Sequence, residues 1–152
     1  QWFFLPKLKS AKRVSSKQRS KSFLNTDFIY EDLEIKKPGS DSLKIIGVEY
    51  EGGIQCKVLM AWPKKKSSYF SRKIWVNTQN WQIYKIEYYV TESKKEKTLT
   101  FSKFIEEDGF ITPSYMIMEK ENGNRTIMQI SSYKPNIGLN EEIFSESFLI
   151  NF

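Results

Sequence analysis

The chain has 152 residues, enough for one domain, with a formal net charge of +6 and no histidine. Hydrophobic residues make up 39% and aromatic residues 15%, so large rings must supply much of any dry interior. No apolar run approaches the ~18 residues of a membrane-spanning helix, and the lack of histidine removes the commonest general base and zinc ligand. In chain order, residues 1–5 predict an aromatic strand that runs into Pro6. Seven cations (Lys7, Lys9, Lys12, Arg13, Lys17, Arg19 and Lys21) then precede the first acid, Asp27, leaving the remainder one unit net negative. This reads as a basic turn or arm that favours anionic partners. Asp27 is expected to cap a short helical piece over 28–33, and residues 34–41 read as a linker-like turn.

The rest is an alternation of β-prone runs and polar turns, the spacing of an antiparallel meander. Strands are expected over 43–50, 54–62, 69–77, 81–91, 97–105, 110–120 and 125–134. Glu51-Gly52-Gly53, Asn77-Thr78-Gln79-Asn80, Glu106-Glu107-Asp108-Gly109 and Glu121-Asn122-Gly123-Asn124 are the hairpin turns, with Gly or Asn where positive φ is needed. Lys64-Lys65-Lys66, after Trp62-Pro63, is a longer exposed loop. Asn140 is expected to cap Glu141–Phe144. Period-2 placement predicts that Val58, Met60, Ile86, Tyr88, Met116 and Met118 share the concave, apolar side of one sheet. An apolar sheet face needs a cover, and two short helical pieces are too small to supply one. The face is therefore either an ordinary packed core or the lining of an open cavity, and flexible methionines suit the second.

Chemistry is sparse. Cys56, the single cysteine, lies in an apolar run and reads as a buried small hydrophobe. Glu31/Asp32, Glu106/Glu107 and Glu141/Glu142 are adjacent carboxylates of the kind that faces water. No nucleophile motif, metal-ligand spacing or phosphate-binding glycine loop is present. No catalytic residue, metal or cofactor is expected. Aromatics beside lysines at Trp2, Phe3, Phe4, Lys7 and Lys9 also fit single-stranded nucleic-acid binding, the third-ranked reading.

The N-terminal third carries more. Trp2-Phe3-Phe4-Leu5-Pro6, then Lys12-Arg13-Val14-Ser15, then Ser22-Phe23-Leu24-Asn25-Thr26-Asp27-Phe28-Ile29-Tyr30-Glu31-Asp32-Leu33 resembles the outer-membrane lipoprotein-sorting family, the LolA/LolB-like carriers. There a W-x-Y-L-P strand precedes an R-R-I-S turn and an S-F-x-x-S-D-F-x-Y-E-D-L segment. Lys12-Arg13 stands for Arg-Arg here, and Asn25-Thr26 replaces the small residue and serine before the aspartate. The resemblance implies a mainly β domain over 1–152, the C-terminal two-thirds of a longer chain. Its antiparallel sheet would be strongly curved into an incomplete, half-open β-barrel with short helices. It implies a periplasmic carrier or chaperone, membrane-anchored through a missing N-terminus, that shields acyl chains of lipoproteins or phospholipid in the apolar cavity and docks to an inner-membrane transporter. Lys12, Arg13, Lys17 and Arg19 are the expected contacts to an anionic membrane surface. The alternative is a non-catalytic scaffold or binding module of the bacterial envelope, of the same fold with a filled core, docking to a transporter.

Overall fold

The computed structural model describes residues 2–5, 10–13, 15 and 17–151. Strands β1 (Trp2–Leu5) and β2 (Ser10–Arg13) pair as an antiparallel hairpin. Seven further strands make one antiparallel sheet: β3 (Asp41–Glu51), β4 (Ile54–Pro63), β5 (Ser71–Asn77), β6 (Ile83–Tyr89), β7 (Lys95–Glu107), β8 (Phe110–Lys120) and β9 (Arg125–Gln129). Their order in space is their order in sequence. The sheet is curved and does not close, so β3 and β9 are its two edges. Two 3-10 turns, Tyr30–Leu33 and Glu141–Phe144, and one short helix, α1 (Glu146–Asn151), complete the described structure. Helix α1 lies against the β1–β2 hairpin. Among the described residues no helix is long and apolar enough to cross a membrane.

The seven strands of the sheet lie within a few residues of the expected ones, because the turns announce them. Gly52 and Gly53 have φ of 56° and 81°, and form a two-residue loop between the paired Glu51 and Ile54. Asp108 and Gly109, at 50° and 77°, do the same between Glu107 and Phe110. Both are the mirror-image turns whose twist matches a hairpin. Two local expectations need correction, and a third holds. The basic stretch over 10–13 is strand β2, although Ser-Ala-Lys-Arg has little β propensity; its aromatic partner β1 sets its conformation. Asp27 does not cap the turn at 30–33. Its carboxylate accepts a hydrogen bond from Thr126 Oγ1 (2.7 Å), while Asp32 Oδ2 accepts the Ile29 N–H (2.8 Å) at the head of the turn. Asn140 does cap its turn, accepting the Glu142 N–H at 3.0 Å.

Directly opposed residues of an antiparallel ladder share a face, so the register assigns both sides of the sheet. Leu59, Ile74, Ile86, Leu99 and Met118 are successive partners from β4 to β8, as are Ala61, Arg72, Tyr88, Lys97 and Lys120. Phe101, Met116 and Met128 continue this side, here called the inner face. Val58, Trp75 and Lys85 are partners on the opposite, outer face, as are Met60, Lys73 and Glu87. The expectation that six residues share one face is therefore corrected. Ile86, Tyr88, Met116 and Met118 are inner, whereas Val58 and Met60 are outer.

The reason is that β4 carries buried residues on both sides, Cys56 and Val58 on one and Ala61 on the other. The outer face has its own small core of Cys56, Val58 and Trp75, flanked by Ile54 and Tyr84. Lys73 and Lys85 place their ammonium groups 4.5 and 4.0 Å from the Trp75 ring centre. Glu49 accepts the indole N–H at 2.9 Å and pairs with Lys73, while Glu51 pairs with Lys85. Lysine stems with charged tips thus roof an apolar core that no second layer covers.

Candidate functional site

The larger core lies on the inner face, where Tyr88, Leu99 and Met118 pack with Phe28 and Tyr69. Phe28 comes from the chain before the sheet, and the local sequence explains how it is presented. The Phe23 N–H donates to the Phe28 carbonyl (2.8 Å) and the Thr26 N–H donates to the Phe23 carbonyl (2.9 Å), closing a tight loop. Leu24 and Asn25 take positive φ at its tip. Thr26 Oγ1 donates to the Phe23 carbonyl (2.6 Å), and Ser22 Oγ to the Thr26 carbonyl (2.6 Å). The small polar residues between the two rings are the lock of the loop. Phe23, Phe28, Ile29 and Leu33 then form an apolar plug on the inner face.

Three acids of the same segment hold the plug in place, Asp32 and Asp27 on the sheet and Glu31 on the loop between β4 and β5. Asp32 is bonded by Lys97 Nζ (2.6 Å) and by the Tyr69 hydroxyl (2.6 Å), and both partners of the Asp32–Lys97 pair are buried. Lys97 also donates to the Asp27 carbonyl (2.9 Å). Asp27 meets Thr126 and, at 3.5 Å, Lys120. Glu31 is buried and accepts from Ser67 Oγ and from the Ser68 N–H (2.8 Å), with Lys36 at 3.5 Å and Arg19 at 3.8 Å. Burial opposes ionisation of Glu31, but these donors outweigh it and hold the carboxyl below the ordinary range. Burial likewise pushes the Lys97 ammonium below its usual pKa, against the pull of Asp32. Burial, reinforced by the Asp32 charge, raises the Tyr69 and Tyr88 phenols, so both stay neutral. These ionised groups are tied to structural partners. Among the described residues no cluster of acidic, cysteine or histidine side chains is placed to hold a metal.

The plug covers only part of the inner face. On β3 the side chains of Leu43, Ile45, Val48 and Tyr50 share it, opposite Ala61, Leu59, Lys57 and Gln55, and all four are more than half exposed. A bulge between Ile45 and Gly47 keeps Val48 and Tyr50 in line with Leu43 and Ile45. At ~3.3 Å per residue this makes an apolar stripe on the order of 20 Å long, open to solvent. At its Asp41 end lies a cleft of about 460 Å3, adjoined by a second of about 400 Å3. Residues 34–41 and 63–67 border the larger, and Lys17, Ser20 and Lys66–Ser68 the smaller; Arg19, Glu31, Lys66 and Ser67 line both.

The structure divides the expected site residues. Tyr88 and Met118 are buried in the inner core, with Ile86 and Met116 packed against it. Val58 is buried in the outer core, and Met60 is half-buried on that side. Of the expected anionic-surface residues, Arg13 and Lys17 are exposed. Lys12 lies in β2, and its side chain is outside the described residues, as are Lys7 and Lys9 altogether. Arg19 is committed to structure, with Nε and Nη2 each donating to Glu34 at 2.6 Å. What the sequence pattern passed over is the sidedness of β3 and the proximity of the Lys64–Lys66 loop to residues 34–41. Simple alternation along β3 is broken by the bulge at Ile46, between the paired Ile45 and Gly47.

A family model described as an uncharacterized protein matches residues 1–151. An outer membrane lipoprotein-sorting protein domain from Vibrio parahaemolyticus superposes with a TM-score of 0.93 at 29% identity; the match covers 99% of this chain and 65% of that one. A DUF1329 family protein from Desulfovibrio piger gives 0.91 at 27%, covering 97% and 63%. The chain belongs to the family of that uncharacterized-protein model, and its structural neighbours are outer-membrane lipoprotein-sorting, DUF1329 and LolA superfamily proteins. A LolA superfamily protein from Nitrosomonas europaea, at 23% identity and a TM-score of 0.73, shares the fold over 97% of this chain and 66% of its own. No curated protein matches in sequence. This LolA-like chain thus spans about two-thirds of the length of its structural relatives. Within that LolA-like frame, the S-F…D-F…Y-E-D-L segment is the plug and its three anchoring acids.

Proposed function

We infer that this LolA-like chain is part of a non-catalytic carrier of the bacterial envelope that shields acyl chains of lipoproteins or lipids on its inner face. One observation carries the reading: the Leu43–Tyr50 stripe leaves four large apolar side chains in water on the same face as the plugged core. Four large apolar side chains in line along one strand form a continuous exposed strip, the kind of surface that marks a binding site. Each sequestered methylene contributes ~0.8 kcal/mol, so a strip that covers several of them holds a chain without polar specificity. The lipoprotein-sorting description of the Vibrio relative agrees with the reading and points to the periplasm. In this reading Arg13 and Lys17, both exposed, face an anionic membrane surface.

A second reading has its own support. Phe28 and Tyr69 fill the middle of the inner face, as they would in a scaffold that docks to other envelope proteins and carries nothing. Native mass spectrometry of the purified protein separates the two. A carrier retains lipid, and the variant Val48→Ser/Tyr50→Ser loses it. If both preparations are lipid-free, and neither binds a fluorescent fatty acid, the scaffold reading replaces the carrier.

A further inference from the structure

We propose that the basic cleft at the Asp41 end of β3 binds the phosphate of an anionic phospholipid whose acyl chains lie along the Leu43–Tyr50 stripe. The proposal rests on the carrier reading and names its cargo class. It stands on the charge inventory of the cleft. Three acids line it, and each is already matched: Glu34 by Arg19, Glu31 by Lys36 and Arg19, and Asp41 by the buried Arg72. Lys17, Lys37, Lys64, Lys65 and Lys66 also line the two joined clefts. All five are exposed, and none makes an ion pair among the described residues. Four of them, Lys37, Lys64, Lys65 and Lys66, surround the larger cleft, with Lys17 in the adjoining one, and their mutual repulsion focuses a positive potential there. An anion relieves the repulsion.

The shape selects among anions. The larger cleft, about 460 Å3, is in the range of small-ligand sites. It is joined to an apolar strip. Asp41 and Leu43 are two residues apart on β3, opposite Pro63 and Ala61, so both project to the inner face. Ile35, 95% exposed, and Pro38 stand among the lysines on the rim. A charged pocket that opens onto an apolar stripe fits a molecule with an anionic head and apolar tails. A neutral diacylglyceryl anchor would leave the five lysines unanswered.

The test measures binding of dioctanoyl-phosphatidylglycerol, dioctanoyl-phosphatidylcholine, dioctanoylglycerol and glycerol phosphate. It compares the unaltered chain with the loop variant Lys64→Ser/Lys65→Ser/Lys66→Ser. Circular dichroism confirms that this exposed loop change leaves the fold intact. The expected result is a preference of about tenfold or more for phosphatidylglycerol over dioctanoylglycerol and phosphatidylcholine, weakened by salt. It should collapse in the triple variant while dioctanoylglycerol binding is unchanged. Equal affinity for the charged and neutral lipids, or a preference that survives in the variant, overturns the phosphate site and leaves the carrier reading standing. Glycerol phosphate bound as tightly as phosphatidylglycerol, and lost in the variant, keeps an anion site but overturns its lipid source and the carrier reading together. Binding of none of the four overturns both.

Discussion

Asp32 and Lys97 are bonded at 2.6 Å with neither side chain in contact with water. Removing one member of such a pair leaves the other charge buried and uncompensated, which costs ~3–5 kcal/mol, whereas removing both costs much less. Lys97→Met should therefore lower the urea midpoint severely, and Lys97→Met/Asp32→Asn should recover part of the loss; a double-mutant cycle measures the coupling. Glu31 makes a pH-dependent contribution. Its folded pKa lies below the ordinary carboxylate value, so the folded state binds fewer protons than the unfolded state in that range. The stabilisation is fully present above the unfolded value and is lost as the pH falls through the lowered folded one. Unfolding curves from neutral pH into acid should show this loss, and Glu31→Gln should flatten the slope while lowering stability at neutral pH.

At the scale of elements, turn chemistry made the fold legible and strand chemistry did not fix the faces. Gly52-Gly53 and Asp108-Gly109 could be placed from residue type alone, because only such residues take the required φ cheaply. Gly109 shows the strength of that constraint. A Cβ added there meets nothing within 4 Å, so Gly109→Ala should destabilise by ~1 kcal/mol or more through its φ of 77° alone; thermal melting reads the shift. Sidedness is another matter. Val58 and Met60 alternate as cleanly as Met116 and Met118, yet alternation relates residues only within a strand. Which side of β4 faces the side chains of β6 depends on the register carried through β5. The Lys73 and Lys85 roof over Trp75 then makes an outer position as dry as an inner one. The acids of the Y-E-D-L segment were visible as a motif, but their partners Lys97, Ser67 and Thr126 are distant in sequence and looked like ordinary strand and loop residues.

Over the whole molecule, the apolar surface and the charge are unevenly spread in a related way. The seven cations that lead the sequence do not act as one arm: Arg19 is spent on Glu34, while Lys17 turns toward the cleft shared with the Lys64–Lys66 loop. The uncovered stripe on β3 adjoins the larger, neighbouring cleft, which Asp41 lines. Because Val48 and Tyr50 are exposed, the Val48→Ser/Tyr50→Ser variant should change stability by no more than about 0.5 kcal/mol. A much larger drop in the melting temperature would show that the stripe is packed in solution.

The sheet is a strict meander, each strand bonded to its sequence neighbour, whereas the plug reaches forward 65 residues to Lys97 and 99 to Thr126. Chain closure over such spans is entropically late, while neighbouring hairpins close early. The rate-limiting barrier to folding should then be crossed with the hairpins formed and residues 22–33 still undocked. Phe28→Ala, which removes a fully buried ring at a cost of ~3–5 kcal/mol, should leave the refolding limb of a chevron nearly unchanged and accelerate unfolding by the whole of that amount. A refolding rate that slows in proportion to the lost stability would place the plug in the nucleus instead. An undocking step that leaves the strands paired would then bare the inner face within the folded ensemble.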